Sequence, residues 1–304
     1  MDYEGTRLLG RIYSHQNYIY LRSLTHTALH SASATFVFGH NPRTRDYTHV
    51  GAAEMLAGLS QAAYCMVARY RPELLVADLI ERAYFRAVNV TFSKMLAPET
   101  EASLTLEMTL GVDGLPRFNF DGFIKGCVEC GLAEVHAGEP VALRQGDGLS
   151  PSVRKTLGTF YNNGSEITLE RFETKATHQF HTKSYFRGDP RSHVWNYATT
   201  TQLIIGLSQV AFAVVGELNQ ADENPLGWEC QEFLDSMGDQ TLVKLSYVRP
   251  RGTDFALTLD NSLASSKTLK GCKFIRLALG GDLHGTMDSM LSPRVPVKTV
   301  KQAS

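Results

Sequence analysis

Glu54, Gly58, Gln61 and Cys65 recur at three- and four-residue spacings within THVGAAEMLAGLSQAAYCMVARY, residues 48–70. On a helix they form one stripe, and the seven residues from Glu54 to Gln61 span nearly two turns, so both side chains point the same way. A carboxylate can take and return a proton, and an amide can orient the group it activates. His49, just before this stretch turns helical, could donate a hydrogen bond or move a proton. Gly51 and Ala52 would stand at the helix N-terminus, where free N–H groups and the helix dipole favour an oxyanion. Gly51 and Gly58 leave room for close approach. Together these residues could polarise a carbonyl and activate an attacking water. A plainer reading stands beside each. Glu54 could be a first-turn acid favoured by the dipole, His49 could close the turn, and Gln61 could bridge backbone groups.

The helix that must position them shows an apolar face at Met55, Leu56, Leu59, Ala62, Ala63, Met66 and Val67, with Thr48 as its N-cap. The pattern returns in Gln202–Val215, QLIIGLSQVAFAVV, where Gln202, Gly206 and Gln209 form the stripe. Gly58-Leu59-Ser60-Gln61 recurs as Gly206-Leu207-Ser208-Gln209, 148 residues later, about half the chain. A Pro-Arg loop precedes each helix (Asn41-Pro42-Arg43, Asp189-Pro190-Arg191), and a His-Val pair follows each loop (His49-Val50, His193-Val194). This is a duplicated unit. The duplication is unequal, because Gln202 replaces Glu54, and an amide cannot accept a proton at neutral pH.

The chain has 304 residues, 43% apolar and 20% charged, enough for two units with sizeable cores. A net charge of −1 gives no reason to expect nucleic acid or an acidic membrane as partner. No apolar run approaches a membrane span, and Met1-Asp2-Tyr3-Glu4 lacks the basic and apolar regions of a secretory signal. Five cysteines do not suggest a disulfide framework, and a reduced, cytoplasmic setting is expected. Cys127-Val128-Glu129-Cys130 has a metal-ligand spacing but no second pair nearby, which favours two core-facing thiols.

Residues 1–30 lead into the first unit as one helix or strand. Strands are expected at Ser31–Gly39, within Glu81–Leu96, at Ala102–Leu110 and over Phe118–Val135, the last as a pair or one bent strand. Residues 137–165, rich in Gly, Ser and Asn, mark the boundary between units at 1–145 and 146–304. Phe172–Phe186, Thr241–Arg249, Asp254–Asp260 and Thr268–Leu279 read as strands of the second unit, with a frayed tail from Ser292. Each unit is then a long helix followed by about three antiparallel strands, with another strand before it. A long apolar helix is buried when a curved antiparallel sheet wraps it. That α+β architecture is the hotdog fold, here as a double hotdog of two tandem units.

The first helix resembles the FcoT-like family of long-chain acyl thioesterases, whose helix begins G-H-F-N-A-V-E with a Gln seven residues beyond the Glu and then a Tyr. His49-Val50-Gly51-Ala52-Ala53-Glu54, Gln61 and Tyr64 keep those spacings over about twenty residues. Gly51 stands where the family has Asn, while His193-Val194-Trp195-Asn196 restores an Asn in the second unit, in a run whose His is four residues further from its Gln than His49 is from Gln61. Two further resemblances compete. Gly39-His40-Asn41-Pro42 with Leu59-Ser60-Gln61-Ala62-Ala63 is similar to FabZ-type hydroxyacyl-carrier dehydratases, and the helix is similar to that of AfsA-type double hotdogs. Both would place an acid at Ala57, which has none. The first resemblance implies a thioesterase on fatty acyl-CoA or acyl-carrier-protein substrates. The alternatives are dehydration, hydration or Michael-type addition on a carrier thioester, or acyl binding without catalysis.

In this reading His49, Glu54, Gln61, His193 and Asn196 are the catalytic set. Gly51, Ala52, Gly58, Tyr64, Arg43 and Arg45 bind substrate, the two arginines at its phosphates. Phe36, Phe38, Phe85 and Phe92 are candidates for an acyl tunnel, and Arg69 and Arg71 for further phosphate contacts. No cofactor or metal is implied, because the substrate carries coenzyme A or phosphopantetheine. A homodimer of double hotdogs is one assembly open to such a chain.

Overall fold

The computed structural model describes residues 3–39, 49–75, 83–93, 96–132, 148–161, 167–186, 200–220, 236–247, 255–269 and 272–293. Helix α1 (Tyr3–Ile12) precedes a hairpin of β1 (Leu21–Ala28) and β2 (Ser31–Val37). Helix α2 (Ala52–Tyr70) follows, then β3 (Ala83–Phe92), β4 (Glu101–Leu110), β5 (Pro116–Gly122) and β6 (Ile124–Leu132). The same order repeats as α3 (Pro151–Phe160), β7 (Leu169–Ala176), β8 (Gln179–Phe186), α4 (Thr200–Gln220), β9 (Ser236–Tyr247), β10 (Phe255–Leu269), β11 (Cys272–Gly281) and β12 (Leu283–Pro293).

All twelve strands join one sheet in the order β1-β2-β4-β5-β6-β3-β9-β12-β11-β10-β8-β7, and each neighbouring pair is antiparallel. The order reads the same from both ends once each strand is replaced by its repeat. The pseudo-twofold therefore passes through the β3–β9 seam, at the pair Asn89↔Lys244. Gly122 and Gly126 hold φ values of 157° and 132°, and Gly281 and Gly285, at the matching places of the second unit, hold 97° and 146°. At Gly126 a Cβ would lie 2.1 Å from the Asn89 carbonyl of the neighbouring β3, so β6 needs a glycine there.

Alternation in the strands sets the core. Ala102, Leu104, Leu106 and Met108 of β4 point inward between exposed neighbours. Of the 19 residues of α2, 14 are buried, so its polar stripe lies inside the protein rather than on a wet face. The fold is the α+β double hotdog, with one buried helix per unit inside a shared antiparallel sheet. Among the described residues no helix is long and apolar enough to cross a membrane.

Four elements depart from the sequence reading. Helices α1 and α3 flank their units at a 148-residue offset that also pairs buried Tyr13 with buried Tyr161. Helix α3 lies inside the stretch expected to be a loop. Ser150 caps it by accepting from the Val153 N–H at 3.3 Å, and Pro151 begins it, so its Gly/Ser/Pro flavour marks a helix start. Strand β1 precedes β2, giving two strands before each helix. Ser292 and Pro293, the first residues of the tail expected to fray, are the end of β12 and pair with Met237 and Ser236 of β9, and the rest of that tail lies outside the described residues. The expected boundary at 145/146 lies outside the described residues.

Candidate active site

The entry to α2 is pinned before the helix begins. The Val50 N–H donates to the Leu96 carbonyl at 2.7 Å, fixing the chain against the segment after β3. Gly51, not Thr48, is the N-cap, with extended backbone (φ −71°, ψ 156°), and its carbonyl accepts the first intrahelical bond from Met55 at 3.1 Å. Thr48 lies outside the described residues. The N–H groups of residues 52–54 come before that ladder begins, so this end carries the positive end of the helix dipole.

His49 and Glu54 flank that end, only 3% and 6% exposed. Burial concentrates the field between a first-turn carboxylate, an imidazole and the helix terminus, because little water screens it. Ala52 and Ala53 are buried beside them. The structure thus brings His49, Gly51, Ala52 and Glu54 to one helix end. Arg43, Arg45, His193 and Asn196 lie outside the described residues, as does His40.

Gln61 has a different setting. It is fully buried, and its Oε1 accepts from the N–H groups of Tyr20 and Leu21 at 2.8 and 3.0 Å, while Nε2 donates to the Tyr18 carbonyl at 2.6 Å. Gln209 repeats this. Its Oε1 accepts from the Thr168 and Leu169 N–H groups at 2.7 and 3.1 Å and from the Thr168 hydroxyl at 3.0 Å. Each amide thus ties the start of its unit's first strand to the central helix. That geometry is the bridging role, and it commits the group expected to orient a nucleophile.

Gly58 also has an internal explanation. A Cβ there would lie 2.9 Å from Phe38 Cε1, and one at Gly206 would lie 2.6 Å from Phe186 Cζ. The close approach that each glycine permits is made by the chain's own phenylalanine, 148 residues apart in the repeat, not by a bound ligand. Phe36 and Phe38 stack at 5.8 Å, and Phe123 stands edge-on to both at 5.6 and 5.7 Å, so the first unit is filled with rings beneath Gly58. Phe85 and Phe92 are buried in the same core, and Tyr64 packs half-buried against it.

Arg69 lies in the last turn of α2 and Arg71 just beyond, where it contacts Glu73 and the Gly114 carbonyl. At 1.5 Å per residue they are about 27 and 30 Å from Gly51, which removes them from the helix N-terminus. Cys127 and Cys130 occupy one strand three residues apart and so face opposite sides of the sheet. Cys130, on the same side of the strand as Val128, packs against the core as expected, and burial pushes its thiol up to about 12, whereas Cys127 faces the other side; both keep some solvent exposure. Among the described residues no group of three or more His, Cys, Asp or Glu side chains could hold a metal ion.

One contact had no counterpart in the motif reading. Thr200, the first residue of α4 and the repeat of Ala52, is 7% exposed and donates across the seam to the Phe85 carbonyl of β3 at 3.4 Å. The helix N-terminus of one unit therefore rests on the other unit's seam strand. The run Thr199-Thr200-Thr201, a helix-start composition, was the available signal.

No family model matches the chain, and no curated protein does. Solved structures similar to it include the dehydratase domain of RzxB from Pseudomonas fluorescens, at 12% identity, covering 90% of this chain and 96% of that one, with a TM-score of 0.47. The dehydratase domain from the CurJ module of curacin polyketide synthase is 12% identical over 92% of this chain and 98% of that one, with a TM-score of 0.49. Acyl-CoA thioesterase II TesB2 from Mycobacterium marinum is 11% identical over 93% and 98%, with a TM-score of 0.43. The double-hotdog fold itself follows from this chain's own palindromic strand order and its two enclosed helices.

Proposed function

We propose that the protein is an acyl-thioester-processing enzyme, and within that class a thioesterase acting on fatty acyl-CoA or acyl-carrier-protein substrates. The observation that carries this is Glu54. A carboxylate only 6% exposed stands one turn inside a buried helix N-terminus, with buried His49 before it and Gly51 at the cap.

The thioester carbonyl oxygen would face the first-turn N–H groups, which stabilise the negative charge that develops there. Glu54 would take a proton from water as its oxygen attacks the carbonyl carbon. Collapse of the tetrahedral intermediate breaks the C–S bond, and the proton passes from Glu54 to the departing thiolate, leaving a free acid and a thiol. His49 would hold or relay a proton at the same end. His193 and Asn196 would reach the site from the second unit, and Arg43 and Arg45 would meet the phosphates of the pantetheine carrier. Gln61 and Gln209 hold helix to sheet in this scheme, and the second unit, with Gln202 in place of the carboxylate, completes the seam.

Incubation with acyl-CoA and acyl-carrier thioesters tests this, following free thiol and intact substrate mass. Released thiol supports hydrolysis. An intact thioester with water gained or lost replaces it with hydration or dehydration, and stoichiometric binding without either product replaces it with acyl binding alone.

A further inference from the structure

The two ends of the seam are built alike, and one hydroxyl sets them apart. In the first unit Cys130 of β6 pairs with Phe85 of the seam strand β3, and in the second Ser289 of β12 pairs with Gln240 of β9. Gly126 pairs with Val90 and Gly285 with Leu245, each glycine four residues before its Cys130 or Ser289. Each pairing skips one seam residue just before it reaches them, Arg86 in β3 and Thr241 in β9. Ser289 is therefore the repeat of Cys130.

That position lies beside a helix N-terminus. The Phe85 carbonyl accepts from the Thr200 hydroxyl at 3.4 Å, which seats the first turn of α4 on β3 next to Cys130. By the pseudo-twofold, the first turn of α2 sits on β9 at Gln240, next to Ser289. Two observations in the first unit place it there directly. Helix α2 packs against β9. The Val50 N–H donates to the Leu96 carbonyl, and Leu96 follows β3 at the end where Thr91 pairs with Leu242, two residues from Gln240. Ser289 thus stands at the end of α2 that carries His49, Gly51 and Glu54.

The repeat also shows what is unusual there. Ala52 takes the place of Thr200, so α2 lacks the hydroxyl that anchors α4 to the seam, and the strand carries a hydroxyl where the other unit has a thiol. Ser289 is only 6% exposed, and its Oγ has no hydrogen-bond partner among the described residues. A buried hydroxyl without a partner opposes folding, and Cys130 shows that the fold accepts a less polar group at this place. A hydroxyl both donates and accepts, which suits it to hold a water molecule.

We propose that Ser289 reaches the site from the second unit and holds the attacking water against Glu54. One water proton goes to Glu54, the other stays hydrogen-bonded to Ser289 Oγ, and the water lone pair attacks the carbonyl carbon. The second proton then leaves with the acid product. This rests on the thioester reading above and deepens it, since the site is complete only when both units contribute.

The test uses the full chain with a long-chain acyl-pantetheine thioester and two uncleavable analogues, a plain ketone and a difluoroketone. The difluoroketone binds as its hydrate, whose second hydroxyl stands where the attacking water would be. Ser289→Ala should melt no lower than the native protein, leave KM unchanged and lower kcat by about 10-fold or more, as follows when a reactant loses its orientation. Ser289→Cys, copying Cys130, should fold as well and lose as much. The native protein should bind the difluoroketone about 10-fold more tightly than the plain ketone, the scale of one buried hydrogen bond, and Ser289→Ala should remove most of that margin. Unchanged kcat in both variants, a native ketone ratio near one, or a fall in kcat that tracks lost stability in both variants overturns the proposal. Cleavage that survives Ser289→Ala leaves the thioesterase standing and removes Ser289. A difluoroketone preference that depends on Ser289 without any cleavage keeps the water site and removes the thioesterase.

Discussion

Replacing Gln61 by Met tests whether its amide belongs to the scaffold or to the chemistry. Met keeps the length and removes every polar atom. The Tyr20 and Leu21 N–H groups lose their shared acceptor, and the Tyr18 carbonyl loses the Nε2 donor 2.6 Å away. Leaving a buried polar group without a partner costs about 1–3 kcal/mol, so three of them imply about 3–6 kcal/mol after partial relaxation. Against a typical domain stability of about 5–15 kcal/mol this is a large share, and the melting temperature should fall on the order of 10 °C. Gln209→Met removes the same acceptor from Thr168 and Leu169 and should cost a similar amount. Urea denaturation followed by circular dichroism reads the loss, and turnover is measured well below the midpoint. Intact stability together with a turnover loss above about 10-fold, the scale of general acid–base or orienting groups, would refute the scaffold assignment and return Gln61 to the catalytic set.

Glu54→Gln should lower turnover by about 10²-fold or more with little change in folding, the usual scale for a general base, whereas Gln202→Ala should cost far less. Near-full activity in Glu54→Gln together with abolished activity in Gln202→Ala or Asn196→Ala would place the working cleft in the other unit. Gly58→Ala should destabilise by about 1–3 kcal/mol through overpacking, because its methyl would press on the ring of Phe38, itself held by Phe36 and Phe123; a variant as stable as the native protein in thermal melts would show that the ring can move. Burial holds the Cys130 thiol at about 12, so in the folded protein it should react with thiol reagents more slowly at pH 8 than after unfolding. The unfolded chain releases that proton first, so this group's contribution to stability should fall as pH rises past the ordinary thiol range, read from melts at pH 8 and pH 10 with the Cys130→Ser control.

The sequence by itself determined the duplicated unit, the two central helices and most strands, because periodicity records which face each segment buries. A repeated GLSQ at a 148-residue offset was enough to identify α2 and α4 as equivalents. It could not distinguish an amide that orients water from one that ties helix to strand, since both uses need a buried Gln on a polar stripe. Only the tertiary structure put Tyr18, Tyr20 and Leu21 against Gln61, residues about 40 positions away in the chain. The same holds for Gly58, where the sequence shows that something comes close and the fold shows that it is Phe38. Strands β1 and β12 escaped notice because mixed Ser, Thr, His and Met runs become strands through their neighbours' hydrogen bonds rather than through their own pattern. Placing Ser289 at the start of α2 needed the register of β3, β9 and β12, because residues from distant stretches become neighbours only when the sheet closes.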